Sequence, residues 1–221
     1  MLTLSQTHGS EPRADIDAIE IKPTVLYVGT PVALITSLNP DGTTNISPMS
    51  SAWALFDRVV LGMTSTSQGR ENAVREREMV INFPTASLWS KVEALARATG
   101  RAAVPAHKEK IGYRYEHDKF ALAGLTPLAS DKVRPPRIAE CPLQFEAEVV
   151  ACHGPGGKWP DERPEAYQIV EAKVVRVHAH RNIVVPGTNH VDTATWNPLL
   201  YVFRHYFGIG SDLGRTFKAE R

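Results

Sequence analysis

Two short stretches concentrate side chains suited to holding a ligand. Thr64-Ser65-Thr66-Ser67-Gln68-Gly69 lies between an apolar run and a polar, helix-forming one. Its four hydroxyls therefore gather where the free N–H groups of a helix start would lie, an arrangement suited to phosphate. Gly69 would let the backbone approach closely. Simple capping of the helix by Ser67 explains the same residues, and both roles are compatible. Upstream, Asn45-Ile46-Ser47-Pro48-Met49-Ser50-Ser51 joins hydroxyl donors to a pliable thioether and a stiff proline. Such a block could meet the face and polar edge of a flat ring, or it could be a strand end whose serines bond nearby backbone. Asn72 has a better claim on a ligand than Asn82. Lys119 is either a ligand contact or a solvated surface amine. Tyr206, in His205-Tyr206-Phe207-Gly208, suits a ring cover, a subunit contact or buried packing.

Other signals fail on spacing. The nucleophile elbow Gly-x-Ser-x-Gly and the P-loop are both absent. Between Gly208 and Gly214 the third glycine falls one position late for a dinucleotide fingerprint, with too little chain following for the required βαβ unit. His178-Ala179-His180 places two imidazoles on one strand face, with no adjoining carboxylate or cysteine cluster in the sequence to complete a metal site.

The elements that must position these residues are mostly strands. Pro31 to Leu38 is an apolar, β-branched run, and Asn39-Pro40-Asp41-Gly42 is a turn, so a hairpin continuing through Thr43 to Pro48 is expected. Ser51 to Phe56 and Arg58 to Met63 form a second extended pair. Gly69 to Arg77 reads as a surface helix and Glu78 to Phe83 as a strand ended by Pro84. Ser87 to Ala98 reads as a helix capped by Ser87 or Thr85 and stopped at Gly100. Leu143 to Cys152 and Tyr167 to His180 are long strands, joined by a Gly/Pro-rich loop from His153 to Pro164. Residues 101–136, irregular and charged, read as an insertion or lid with a helical turn at Asp118 to Ala123. Strands without regular strand–helix alternation predict a mainly β, antiparallel barrel with peripheral helices. Residues 1–22 form an N-terminal arm, 23–214 the domain, and 215–221 a C-terminal tail.

The 221 residues carry a net charge of +1, with 43% hydrophobic and 22% charged residues, which suits one globular domain and gives no global pull toward nucleic acid or membrane. The polar N-terminus lacks a secretion signal, and no apolar run approaches the roughly 20 residues a spanning helix needs. Two cysteines are too few for a disulfide framework and fit a reducing cytoplasm. Cys152, within Val149-Val150-Ala151-Cys152, reads as a small buried hydrophobe.

The joint order of several motifs resembles the flavin reductase-like, FMN-binding split-barrel family, in its flavoredoxin-type branch. The residues concerned are PVALITSLNPDGTTNISPMSS at 31–51, MTSTSQGREN at 63–72 and MVINFP at 79–84, followed by Asp118-Lys119-Phe120-Ala121, Ala123 to Pro127 and Arg137 to Pro142. The resemblance implies a split β-barrel of antiparallel Greek-key type that binds FMN. Asn45, Ser47 to Ser51, Thr64 to Gly69, Asn72, Lys119 and Tyr206 would contact the cofactor. It departs from the family pattern at Gly69, where relatives commonly carry Thr and its hydroxyl. The resemblance further implies a homodimer, NADH or NADPH as reductant, and a monooxygenase or other electron-acceptor partner. Flavin carries the chemistry, so no protein triad is required. An electron-carrier flavoprotein is the second reading, and a split barrel holding pyridoxal phosphate or haem the third.

Overall fold

A computed structural model describes residues 18–154 and 167–213. The first 17 residues of the expected arm, most of the 153–164 loop, Gly214 and the 215–221 tail lie outside them. From the N-terminal side, β1 (Val28–Pro31), β2 (Ala33–Leu38), β3 (Thr44–Met49), β4 (Ala52–Leu55) and β5 (Arg58–Thr64) lead to α1 (Gln68–Glu76) and β6 (Glu78–Phe83). Then come α2 (Trp89–Ala94), β7 (Ala98–Thr99), α3 (Ala106–Glu109), β8 (Arg114–Tyr115), α4 (Lys119–Ala123), β9 (Pro127–Leu128) and β10 (Arg137–Ile138). The long strands β11 (Leu143–His153) and β12 (Tyr167–Ala179) precede β13 (Leu200–Val202) and β14 (His205–Phe207).

Seven strands pair antiparallel in the order β3-β2-β6-β11-β12-β5-β4. Laid flat, the edge strands β3 and β4 would stand roughly 29 Å apart. Yet only Ser50 and Ser51 join them, and the three steps from Met49 to Ala52 reach at most about 11 Å. The sheet must therefore curl until its edges meet at Ser50-Ser51, which makes the expected split barrel. Pro48 is tolerated because β3 is an edge strand.

Alternation along β2 builds two cores. Ala33 and Ile35 point into the barrel with Leu61, Met79, Ile81, Ala147 and Val170. Leu34 points outward and packs with Ile46, Val92, Leu95, Phe120 and Ile138 beneath α2 and α4. The 101–136 stretch is thus packed, since Phe120, Ala123, Leu125 and Val133 are buried.

Several local expectations need correction. The helix expected over Ser87 to Ala98 is a 3₁₀ turn at Ala86–Leu88 followed by α2, which ends at Ala94 because β7 pairs with β8. Neither Thr85 nor Ser87 caps it; their hydroxyls bond each other at 2.8 Å. Cys152 is exposed, whereas Cys141 is the buried thiol. The register of β11 shifts between Val149 and Ala151, so simple alternation does not carry the apolar run inward as far as Cys152.

Candidate functional site

The curl brings both ligand-type stretches to one corner. A cleft of about 420 Å³ opens there, within the range of small-molecule sites. Asn45, Ser47, Pro48 and Met49 line it from β3, Ser50 and Ser51 from the closing link, and Thr64, Ser67 and Gln68 from the β5–α1 turn. Lys119 and Tyr206 also line it. Eleven of the fifteen residues singled out in the sequence thus converge.

Four do not, each for a visible reason. Asn72 is fully buried on the barrel side of α1, where its amide donates to Ser37 Oγ (3.1 Å) and Asn39 Oδ1 (2.9 Å) and accepts from Gln68. It anchors the helix to β2 and the following turn. Gly69 serves packing rather than a ligand, since a Cβ there would lie 2.4 Å from Ser47 Oγ. Its bareness lets α1 approach β3. Ser65 and Thr66 form the tip of the turn, Thr66 exposed and Ser65 with a buried hydroxyl lacking a partner. Ser67 performs the expected cap, accepting from Arg70 N at 3.2 Å.

Lys119 is the largest departure from a solvated amine. Only 3% exposed, it reaches from the first residue of α4 to β3 and donates to Asn45 Oδ1 and the Ile46 carbonyl, both at 2.8 Å. Burial, then the charge of Lys108, lowers its pKa to about 7 against a weaker opposing pull from Glu116. Burial and the charge of Arg101 also lower that of Lys108, a further cleft residue. Arg101 in turn pairs with Glu71 in the first turn of α1, while its Nε is buried without a partner. Lys119 and Lys108, each lowered by burial and then by a neighbouring cation beside a helix start, with Glu71 already engaged by Arg101, form a setting short of negative charge.

Aromatic groups supply the rest. Tyr27, Tyr113, Tyr201 and Tyr206 reach the cleft. Tyr27 stacks edge-on with Tyr201 at 5.4 Å and bonds Ser51 Oγ at 3.1 Å. Tyr206 bonds Glu93 Oε2 at 3.1 Å, and burial together with that carboxylate pushes its phenol up. Phosphate needs charge and donors, and a flat ring needs apolar faces and edge donors. Lys108, Lys119, Ser67 and the N-terminus of α1 meet the first need, while Met49, the tyrosines and Ser50 meet the second. The residues present therefore fit a flat ring system that carries a phosphate. Sequence reasoning missed Lys108, Tyr27, Tyr113 and Tyr201, since nothing local to them signals a ligand.

A second cluster corrects another expectation. His178 does meet carboxylates: its Nε2 lies 2.6 Å from Glu146 Oε1 and 3.9 Å from Asp131 Oδ2. Glu146, fully buried, also accepts the backbone N–H groups of Asp131 (2.9 Å), Lys132 (2.5 Å) and Val133 (3.2 Å). Burial alone would raise this carboxyl; the Asp131 and Lys132 donors and then His178 outweigh it and hold the pKa below the ordinary value. With its lone pairs taken by N–H groups, Glu146 clamps the 131–133 turn to β11.

The flavin reductase like domain model matches residues 26–210, and the chain belongs to that family. Membership implies a flavin cofactor and oxidoreductase chemistry. The uncharacterised protein YdfE of Bacillus subtilis (strain 168) is 44% identical over 201 residues, covering 91% of this chain and 94% of that protein. Nitrilotriacetate monooxygenase component B from Bacillus cereus shares the fold at a TM-score of 0.69 and 17% identity, with 95% of this chain and 100% of that one covered. Flavoredoxin of Desulfovibrio vulgaris (Miyazaki F) does so at 0.69 and 18%, covering 94% and 98%.

Proposed function

We propose that the chain binds FMN in this cleft and, as a cytoplasmic homodimer, passes electrons from NADH or NADPH to free flavin or a monooxygenase partner. The observation that carries this reading is the meeting of two lysines, Lys108 and Lys119, with four tyrosines and two methionines in one cleft of a flavin reductase-like fold. Bound flavin supplies the hydride and electron transfer. The protein's part is to hold it: Ser67 and the start of α1 with Lys108 and Lys119 take the phosphate, while Ser47, Ser50 and Ser51 offer hydroxyls to the ring edge. The match in fold to a monooxygenase component supports a monooxygenase as the acceptor's source.

Under argon, NADH or NADPH should bleach the bound flavin within seconds. Slow or absent bleaching favours the electron-carrier reading instead.

The dimer is supported by the β4–β5 hairpin. Phe56 at its tip is 96% exposed and holds a left-handed φ of 54°, beside exposed Trp53 and Leu55. An exposed ring in a costly backbone conformation gains from burial against a second copy.

A further inference from the structure

We infer that Lys119 takes up a proton as a phosphorylated ring ligand enters the cleft, so that binding and protonation of this one amine form a single event. The inference rests on the flavin reading above and specifies how the site is charged.

The geometry sets the amine's options. An ammonium has three donors. Two are spent on Asn45 Oδ1 and the Ile46 carbonyl, which leaves one valence for the cleft that Lys119 lines. Asn45 is held in place, because its own amide donates to Ser47 Oγ at 2.9 Å and a Cβ at Gly100 would lie 2.4 Å from Asn45 Oδ1. The acceptors are thus fixed and uncharged, and they can hold the amine in either protonation state.

The surrounding charges do not neutralise it. Among the described residues no carboxylate bonds Lys119. From α3, Lys108 repels its charge, with Arg101 beyond; on its own segment, Glu116 opposes weakly. Strand β3 offers no titratable side chain. On α2, Lys91 is turned to the Gly124 carbonyl and Glu93 to the Tyr206 hydroxyl. Glu71 is engaged by Arg101. With Lys119 titrating at about 7, the empty amine is largely neutral above that pH. A phosphate brought near Lys108 and Lys119 supplies the missing counter-charge. The nitrogen lone pair then takes one proton from solvent, and no other bond changes.

The sign follows from linkage. Below about pH 7 the amine is already charged and uptake vanishes. Above it, uptake approaches one proton per ligand and affinity falls by up to about tenfold per pH unit.

Calorimetric titration of the full chain at about pH 8.5, in two buffers of different ionisation enthalpy, reads the proton directly. Riboflavin phosphate should bind wild type with uptake of about one proton. Lys119→Arg, always charged, should bind with no uptake and no pH slope, and Lys119→Met should bind more weakly, also without uptake. Unphosphorylated riboflavin should draw in much less. Equal apparent enthalpies in both buffers for wild type, uptake that persists in Lys119→Arg, or equal uptake with riboflavin overturns the inference alone. Absence of saturable binding in every variant overturns the flavin reading and this inference with it.

Discussion

Single residues divide into those that touch the cleft and those that shape it. Ser67 does both, so Ser67→Ala should cost about 1 kcal/mol of stability through the lost cap. It should also weaken riboflavin phosphate more than riboflavin, read by flavin fluorescence titration. Asn72→Ala should act differently. It leaves Ser37, Asn39 and Gln68 without a buried partner, so it should lower stability by roughly 2 kcal/mol in urea melts with little change in affinity for a folded protein. Equal losses of affinity in the two variants would show that Asn72 belongs to the site after all. The hydroxyl block at 45–51 was legible because its residue types and order are local. Lys108 and Tyr113 were not, because their meaning comes from a segment folding back across the sheet.

Elements carry the next level of specificity. Helix α1 sits against β3 only because position 69 has no side chain, so Gly69→Ala must move either the helix or Ser47. It should weaken riboflavin phosphate and lower the melting temperature together; a variant as stable and as tight-binding as wild type would contradict this packing. The Glu146 clamp fixes the end of the segment that also carries Lys108 and Lys119. Glu146→Ala would leave three backbone donors and His178 facing a cavity, a loss of about 3–5 kcal/mol. Urea unfolding measures it, and a loss under about 1 kcal/mol would show that solvent replaces the carboxylate. The hairpin at Asn39 to Gly42 was readable from its turn residues, and Gly42 adopts the expected positive φ of 83°. The early end of α2 was not, because a strand pair formed with residues sixteen positions later overrides helix periodicity.

For the whole molecule, the two-residue link between the edge strands dictates the barrel, and the barrel's open corner is the cleft. That closure was implicit in the strand order but invisible before pairing was known. The cleft's charge also enters overall stability. Lys119 loses its proton near pH 7 in the fold but keeps it to an ordinary value of 10.5 when unfolded. The unfolded chain therefore binds more protons in between, and stability of the ligand-free protein should rise with pH from about 7. Urea midpoints should be higher at pH 8.5 than at 7, before the Cys141 thiol titrates in the unfolded chain, with the rise reduced in Lys119→Met. Light scattering should give the mass of two chains, falling toward one in Phe56→Asp if the hairpin tip is the contact. The most direct test of the cleft itself is fluorescence titration of the purified, flavin-free protein with riboflavin phosphate and with riboflavin. Saturable quenching with one flavin per chain, at least about tenfold tighter for the phosphate, is the predicted result. Unsaturable quenching, or equal affinity for the two flavins, would contradict it.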